Sequence, residues 1–451
     1  MRVLTPICSG MLLTMACASS QAMTLAEAIQ STVERHPEVS ASVNNRLSSD
    51  EDIKVARGGY LPTVDVIAGY GRERSDNPDT RAQGNHHKET LNYTAAELRL
   101  RQMLFDGFNT PNEVKRTEAV ANSRAYYIQG TAESLALRTV DVYLEVLKRR
   151  EMVALAKNNL QAHTRISDQI GLRKQRGVGS AADFDQSEAR LALAQNNLYT
   201  EEVNLADAEA NFYSVVGRMP DELVTPASVR GEMPSDLVNA RQAMIDNNPL
   251  LKSAQSDVTA AEKQYEVAKS PFYPRFDAEL STRANDDMGG QEGHDTGWRA
   301  GLAMNYNLFN GMRDKARLQS AAHQINQAMD IRNNALRQIN ENVMLAWNAM
   351  ENARLQTPKA REYADYTARV REAYQQQFSL GQRTLLDLLD SENELFTANR
   401  RYVEVRYTEE FSMYRVQAAM GELLRKQGTV LPVEANALSA VKTDARLPDM
   451  K

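Results

Sequence analysis

Trp298-Arg299-Ala300-Gly301-Leu302-Ala303-Met304-Asn305-Tyr306-Asn307-Leu308 alternates from end to end. Trp298, Ala300, Leu302, Met304, Tyr306 and Leu308 fall on one side, and Arg299, Gly301, Ala303, Asn305 and Asn307 on the other. A period of two puts successive side chains on opposite faces of a strand. With aromatics near its ends, the stretch has the pattern of a membrane barrel strand, in which lipid-facing and lumen-facing residues alternate between aromatic girdles. A half-buried soluble hairpin shows the same period, so the stretch alone leaves both readings open. Three other segments alternate: Thr63 to Tyr70, Glu97 to Phe105, and Phe276 to Arg283. The joining loops, Arg72 to Asn92 and Ala284 to Gly297, are rich in Asp, Asn, Gly and His, as exposed loops are.

These segments come in pairs because the chain is duplicated. His36-Pro37-Glu38 is echoed by Asn248-Pro249-Leu250, and Tyr60-Leu61-Pro62 by Phe272-Tyr273-Pro274, 212 positions later. Beyond the strands the offset is 204: Leu104-Phe105-Asp106-Gly107 returns as Leu308-Phe309-Asn310-Gly311, Gly177 as Gly381, Asp183 as Asp387, and Ser187-Glu188 as Ser391-Glu392. The period is far longer than that of solenoids or propellers and implies two similar halves. The expected organisation is a leader over 1–22, a first repeat over 23–230, a second over 231–421 and a C-terminal tail over 422–451.

Between strands and tail the periodicity is helical. Ile128, Ala132, Leu135, Thr139, Val142 and Val146 step by four and three, as do Leu336, Ile339, Val343, Ala346, Met350 and Ala353. Spacing near 3.5 marks helices packed along a coiled-coil seam. One helix is expected from about Asn112 to Arg176, a run on the order of 100 Å at 1.5 Å per residue. Gly177 and Gly381 punctuate hairpins, after which Ala181 to Val216 and Leu385 to Met420 return antiparallel.

The first residues set the compartment. Met1-Arg2, an apolar stretch from Val3 to Ala18 and Ser20-Gln21-Ala22 read as a secretory signal cleaved after Ala22. The competing reading acylates Cys17, although Thr14 stands where that pattern wants Leu. Cys8 and Cys17 are the two cysteines, so cleavage removes every thiol and with it disulfides, thiolate metal sites and cysteine nucleophiles. A net charge of −6 with dispersed basic residues gives nucleic-acid binding no support. No later stretch has the ~18 consecutive apolar residues of a spanning helix. A secreted chain then either stays soluble or enters a membrane as a closed β-barrel.

Four strands per chain cannot close a barrel that needs ~8 or more, so several chains must contribute. The order of elements, Leu308-Phe309-Asn310-Gly311 and above all Leu380-Gly381-Gln382-Arg383-Thr384-Leu385-Leu386-Asp387-Leu388-Leu389-Asp390 resemble the TolC family of outer-membrane export channels. The resemblance runs from Thr24-Leu25-Ala26-Glu27-Ala28 to about Gly421. It implies an α+β membrane protein: a homotrimer with a 12-stranded outer-membrane β-barrel, continued by a long periplasmic α-helical barrel. The branch most resembled serves type I secretion, including export of large adhesins. The implied partners are a periplasmic adaptor, an inner-membrane ABC transporter, a secreted protein substrate and outer-membrane lipid.

The resemblance also implies roles for single residues. Arg383 matches the arginine of the family's periplasmic gate and Asp183 its acidic partner on the other hairpin. Asp387 and Asp390 match carboxylates that ring the constriction, and Phe378 stands where the family has a tyrosine of the gate network. Gly177, Val178 and Gly179 with Leu380, Gly381 and Gln382 form the hairpin tips where an adaptor docks; Gly177-Val178-Gly179-Ser180 departs from the usual Val-Gly-Leu run. Trp298, Leu302, Met304 and Tyr306 are expected to face lipid.

An enzyme finds no motif. His36, His86, His87, His163, His294 and His323 form no HExxH, and neither GxSxG nor GxxxxGK occurs, so no cofactor or metal is implied. Two other readings remain: a multidrug efflux channel of the same architecture and a periplasmic helical scaffold.

Overall fold

A computed structural model describes residues 22–82 and 88–447. The leader with Cys8 and Cys17, and the His86-His87 pair, lie outside the described residues. The first repeat contains α1 (Leu25–Arg35), α2 (Pro37–Gly58), β1 (Thr63–Ser75), α3 (Pro78–Ala82), β2 (Glu89–Phe105), α4 (Asn109–Gln175) and α5 (Ala181–Val216). The second contains α6 (Leu237–Asn247), α7 (Pro249–Ala268), β3 (Arg275–Asp286), β4 (His294–Asn305), α8 (Arg313–Ser379) and α9 (Leu385–Met420), and is followed by α10 (Leu423–Lys426). The duplication extends to lengths: α4 and α8 have 67 residues each, and α5 and α9 have 36 each. The short α3, inside the first strand connection, has no counterpart in the second.

The repeated His36-Pro37 and Asn248-Pro249 pairs are helix starts. His36 Nδ1 accepts from the Glu38 N–H at 3.2 Å, and Asn248 Oδ1 accepts from the Leu250 and Leu251 N–H groups at 3.0 and 3.3 Å. In each case proline follows at the first helical position, where its missing N–H costs nothing.

The chain divides into two compact units, each drawn from both repeats. The first comprises 22–32, 138–231 and 353–411, and is helical. In it Tyr143 is fully buried against Phe212, ring centroids 6.3 Å apart, and its hydroxyl reaches the Met23 and Val224 carbonyls at 2.7 and 2.6 Å. Burial pushes that phenol up to about 12.

The second unit comprises 33–137, 232–352 and 412–447 and contains the sheet, in the order β1-β2-β3-β4, antiparallel throughout. The β2–β3 pairing joins the repeats, with Leu100 opposite Leu280. A register shift between Met103 and Phe105 bends β2 where it leaves the sheet. No helix among the described residues is long and apolar enough to cross a membrane.

Candidate functional site

The sheet has two chemically distinct faces. Cross-strand register aligns Val64, Leu100, Leu280 and Ala300 in one row and Val66, Leu98, Thr282 and Trp298 in the next. Leu302, Met304, Phe276 and Tyr70 share this side by strand alternation. Trp298 is 78% exposed, Leu302 76% and Val66 76%, so nothing among the described residues covers them on the apolar face.

On the opposite face, Asp65, Arg99, Ser281 and Arg299 form one row. It carries ion pairs Arg101–Glu279 at 2.9 Å, Arg99–Glu97 at 3.0 Å, Arg275–Asp277 at 2.9 Å and Arg283–Asp295 at 3.5 Å. Ile67 interrupts this polarity. Trp298, Leu302 and Met304 thus lie on the apolar side and Arg299 and Asn305 on the polar one. Tyr306 lies just past the end of β4. Strands β1 and β4 are the free edges of the sheet.

The second cluster of predicted site residues lies at the hairpin tips of the helical unit. Both outgoing helices end in the same way. Val178 N–H donates to the Arg173 carbonyl at 3.0 Å and Gly177 N–H to Lys174 at 3.0 Å; in the second repeat Gln382 N–H donates to Gln377 at 2.9 Å and Gly381 N–H to Phe378 at 3.1 Å. This is the Schellman arrangement, and it requires the left-handed φ of +74° at Gly177 and +70° at Gly381. Gly179 is fixed by space: a Cβ there would stand 2.8 Å from the Lys174 nitrogen. Val178 and Leu380 are left 75% and 72% exposed at the turn. Gln382 is exposed beside them.

The returning helices start differently. Ser180 Oγ accepts from the Ala182 N–H, at 3.1 Å. Thr384 and Asp387 form a reciprocal box: Thr384 Oγ1 accepts from the Asp387 N–H at 3.2 Å, while Asp387 Oδ2 accepts from the Thr384 hydroxyl at 2.8 Å and N–H at 3.2 Å. Those bonds from Thr384 hold the Asp387 carboxyl below its ordinary value.

Arg383 is held within its own hairpin. Its Nε donates to Gln377 Oε1 at 3.0 Å, its guanidinium lies 4.2 Å from the Tyr374 ring centroid, and Asp387 Oδ2 is 3.9 Å away. Asp183 is half-buried and makes no hydrogen bond or ion pair among the described residues, so Asp183 and Arg383 are not brought together within one chain. Asp390 instead pairs with Arg190 of α5 at 2.8 Å. Phe378 is buried with Ile166, Ile170, Leu385, Leu388 and Leu389, with the Arg173 guanidinium 4.9 Å from its ring. It is a core residue of the tip.

Sequence reasoning missed Tyr374, Gln377 and Arg190. The signal for Arg190 was present, because the seven-residue step from Arg383 to Asp390 is repeated from Asp183 to Arg190. Behind the apolar cluster lies a buried polar layer that includes His163, Ser167, Ser187, Ser391 and Glu392. Among the described residues no three His, Cys, Asp or Glu side chains form a metal site.

Comparison with known proteins agrees with this architecture. The family model described as outer membrane efflux protein matches twice, over 28–218 and 240–422, one match in each repeat. The outer membrane efflux protein BepC of Brucella suis is 24% identical over 93% of this chain and 89% of its own length. The alkaline protease secretion protein AprF of Pseudomonas aeruginosa is 22% identical over 86% of this chain and 82% of its own. The solved CmeC outer-membrane channel of Campylobacter jejuni superposes with a TM-score of 0.75 at 14% identity, covering 91% of this chain and 90% of that one. With two matched repeats and a shared fold of four strands and long helices, the chain belongs to the outer membrane efflux protein family, whose members are outer-membrane transport channels and not enzymes.

Proposed function

We propose that three copies of this chain close one twelve-stranded barrel in the outer membrane and continue it into the periplasm as a helical conduit, the exit duct of a type I secretion system. The observation that carries the reading is the two-faced sheet with free edges at β1 and β4. In lipid every backbone polar group must be paired, so open edges require strands from neighbouring copies. The apolar face then meets lipid and the ion-paired face lines the lumen. At the hairpin tips, Asp183 reaches Arg383 of a neighbouring copy and holds the duct shut, with Val178 and Leu380 exposed for a periplasmic adaptor. An inner-membrane ABC transporter then feeds a protein substrate, a large adhesin, through the duct. Similarity to a protease secretion protein supports secretion, and similarity to the efflux protein BepC supports a multidrug efflux channel as the second reading.

Purified protein should run as a heat-sensitive trimer and give discrete conductance steps in planar bilayers; a monomer that stays soluble without detergent would reject the channel. Leu302→Arg should cost about 2 to 4 kcal/mol if that site lies near the bilayer midplane. Gly301→Arg, on the adjacent polar face where a Cβ meets nothing, should be tolerated. Deleting the gene separates the two readings. Loss of a surface or secreted protein supports secretion, and drug sensitivity with an unchanged exported set supports efflux.

A further inference from the structure

Four charged residues at the tip, Arg190, Arg383, Asp387 and Asp390, have partners that bear on the charge a passing ion meets. Asp387 is bonded to the start of its own helix through Thr384, and its charge is offset by Arg383, 3.9 Å away. Arg383 is turned back on Tyr374 and Gln377. That leaves Asp390, 58% exposed on α9, and its partner Arg190, 29% exposed on α5, at 2.8 Å. The two helices belong to different hairpins, so the contact both braces the tip and sets its charge.

Resting on the channel reading above, we propose that Arg190 determines the ion selectivity of the periplasmic constriction by neutralising Asp390. Three symmetry-related Asp390 carboxylates alone would form an acidic ring that draws in cations, and multivalent cations most strongly. With Arg190 beside each one, the ring becomes three ion pairs with no net charge. The repeats explain why this pairing has no twin. The counterpart of Asp390 in the first repeat is Gln186, and that of Arg190 in the second is Glu394, which faces the Tyr363 hydroxyl at 3.3 Å.

The test measures block by La3+ and the reversal potential in a salt gradient, for the trimer in planar bilayers. Arg190→Ala should strengthen La3+ block by about tenfold and shift the reversal potential toward cation preference. Arg190→Ala/Asp390→Ala should cancel both changes, and Arg190→Lys should keep wild-type block. An Arg190→Ala channel with unchanged block, or a double variant that keeps the increase, overturns the proposal. A second measurement needs no conduction: carbodiimide treatment of the Arg190→Lys protein should join Lys at 190 to Asp390 within one chain, detectable by peptide mass spectrometry. Its absence from a folded trimer overturns the pairing. A trimer that forms the cross-link but never conducts sinks the channel reading and the selectivity role together.

Discussion

The two hairpin tips share one frame and divide its tasks. Both stop their outgoing helix at a left-handed glycine and both restart with a hydroxyl cap. At the positions related by 204 residues the chemistry then differs: Lys174 stands for Phe378, Ile170 for Tyr374, Gly179 for Arg383, and Asp183, unbonded, for the captured Asp387. The second hairpin therefore holds its own acid and folds its own arginine inward. The first, with glycine in place of arginine and an aspartate not bonded back to Ser180, keeps a carboxylate available. Duplication preserved the turn geometry, which the backbone dictates. It released the side chains, and the proposed intermolecular gate would need such unlike partners.

Phe378 against Lys174 is the sharpest break available. Phe378→Ala should destabilise the tip by about 3 to 5 kcal/mol, the usual cost of emptying an aromatic from a packed core. Lys174→Ala removes only a cation 4.1 Å from the Phe184 ring, worth about 0.5 to 1 kcal/mol at an exposed site. Hydrogen exchange in the last turns of α4 and α8, with limited proteolysis at the tips, reads both. Equal effects would mean that the hairpins share the core evenly.

Capping comes next. Thr384→Ala should cost about 1 kcal/mol and open the first turn of α9, whereas Ser180→Ala, losing a single bond, should cost less. Asp387→Ala should likewise fray α9. Asp183→Ala should leave α5 intact and act on the assembled channel instead, raising resting conductance and detergent sensitivity, as should Arg383→Ser. If Asp183→Ala changes α5 protection and not conductance, its role is local and the division of tasks fails.

Much of the frame could be read from the chain because it is local. The limits of α5 and α9, Ala181 to Val216 and Leu385 to Met420, follow from the glycine punctuation and the helical period. The alternation around Trp298 located β4 to within a few residues, although Tyr306 and Leu308 fall beyond its end because pairing with β3 stops at Arg275 opposite Asn305. What could not be read is contact between residues some 200 apart in sequence. From the sequence Asp390 reads as a bare carboxylate, and only the fold brings Arg190 to 2.8 Å from it. Phe378 looked like a gate residue without its hydroxyl, but burial with Ile166 and Leu389 gives the ring another task. Helical period shows which residues share a face, and only packing shows what that face meets.

The smallest expected effect lies one layer behind the tips. Glu188 and Glu392 are repeat counterparts, yet Glu188 is exposed and accepts from Ser167 Oγ, whereas Glu392 is buried and faces Arg371 at 3.5 Å. Burial pushes the Glu392 carboxyl above its ordinary value, opposed by the charges of Arg371 and Arg165. Between the unfolded value of 4.5 and the raised folded one, the native state holds more proton than the unfolded chain, so stability falls as pH rises through that window and is level above it. Glu392→Gln removes this titration. Its thermal midpoint should match wild type near pH 4 and exceed it by a small, constant margin once the window is passed. Melting curves that stay parallel from pH 4 to 8 would show that Arg371 compensates the burial fully, and that the unlike surroundings of Glu188 and Glu392 carry no difference in stability.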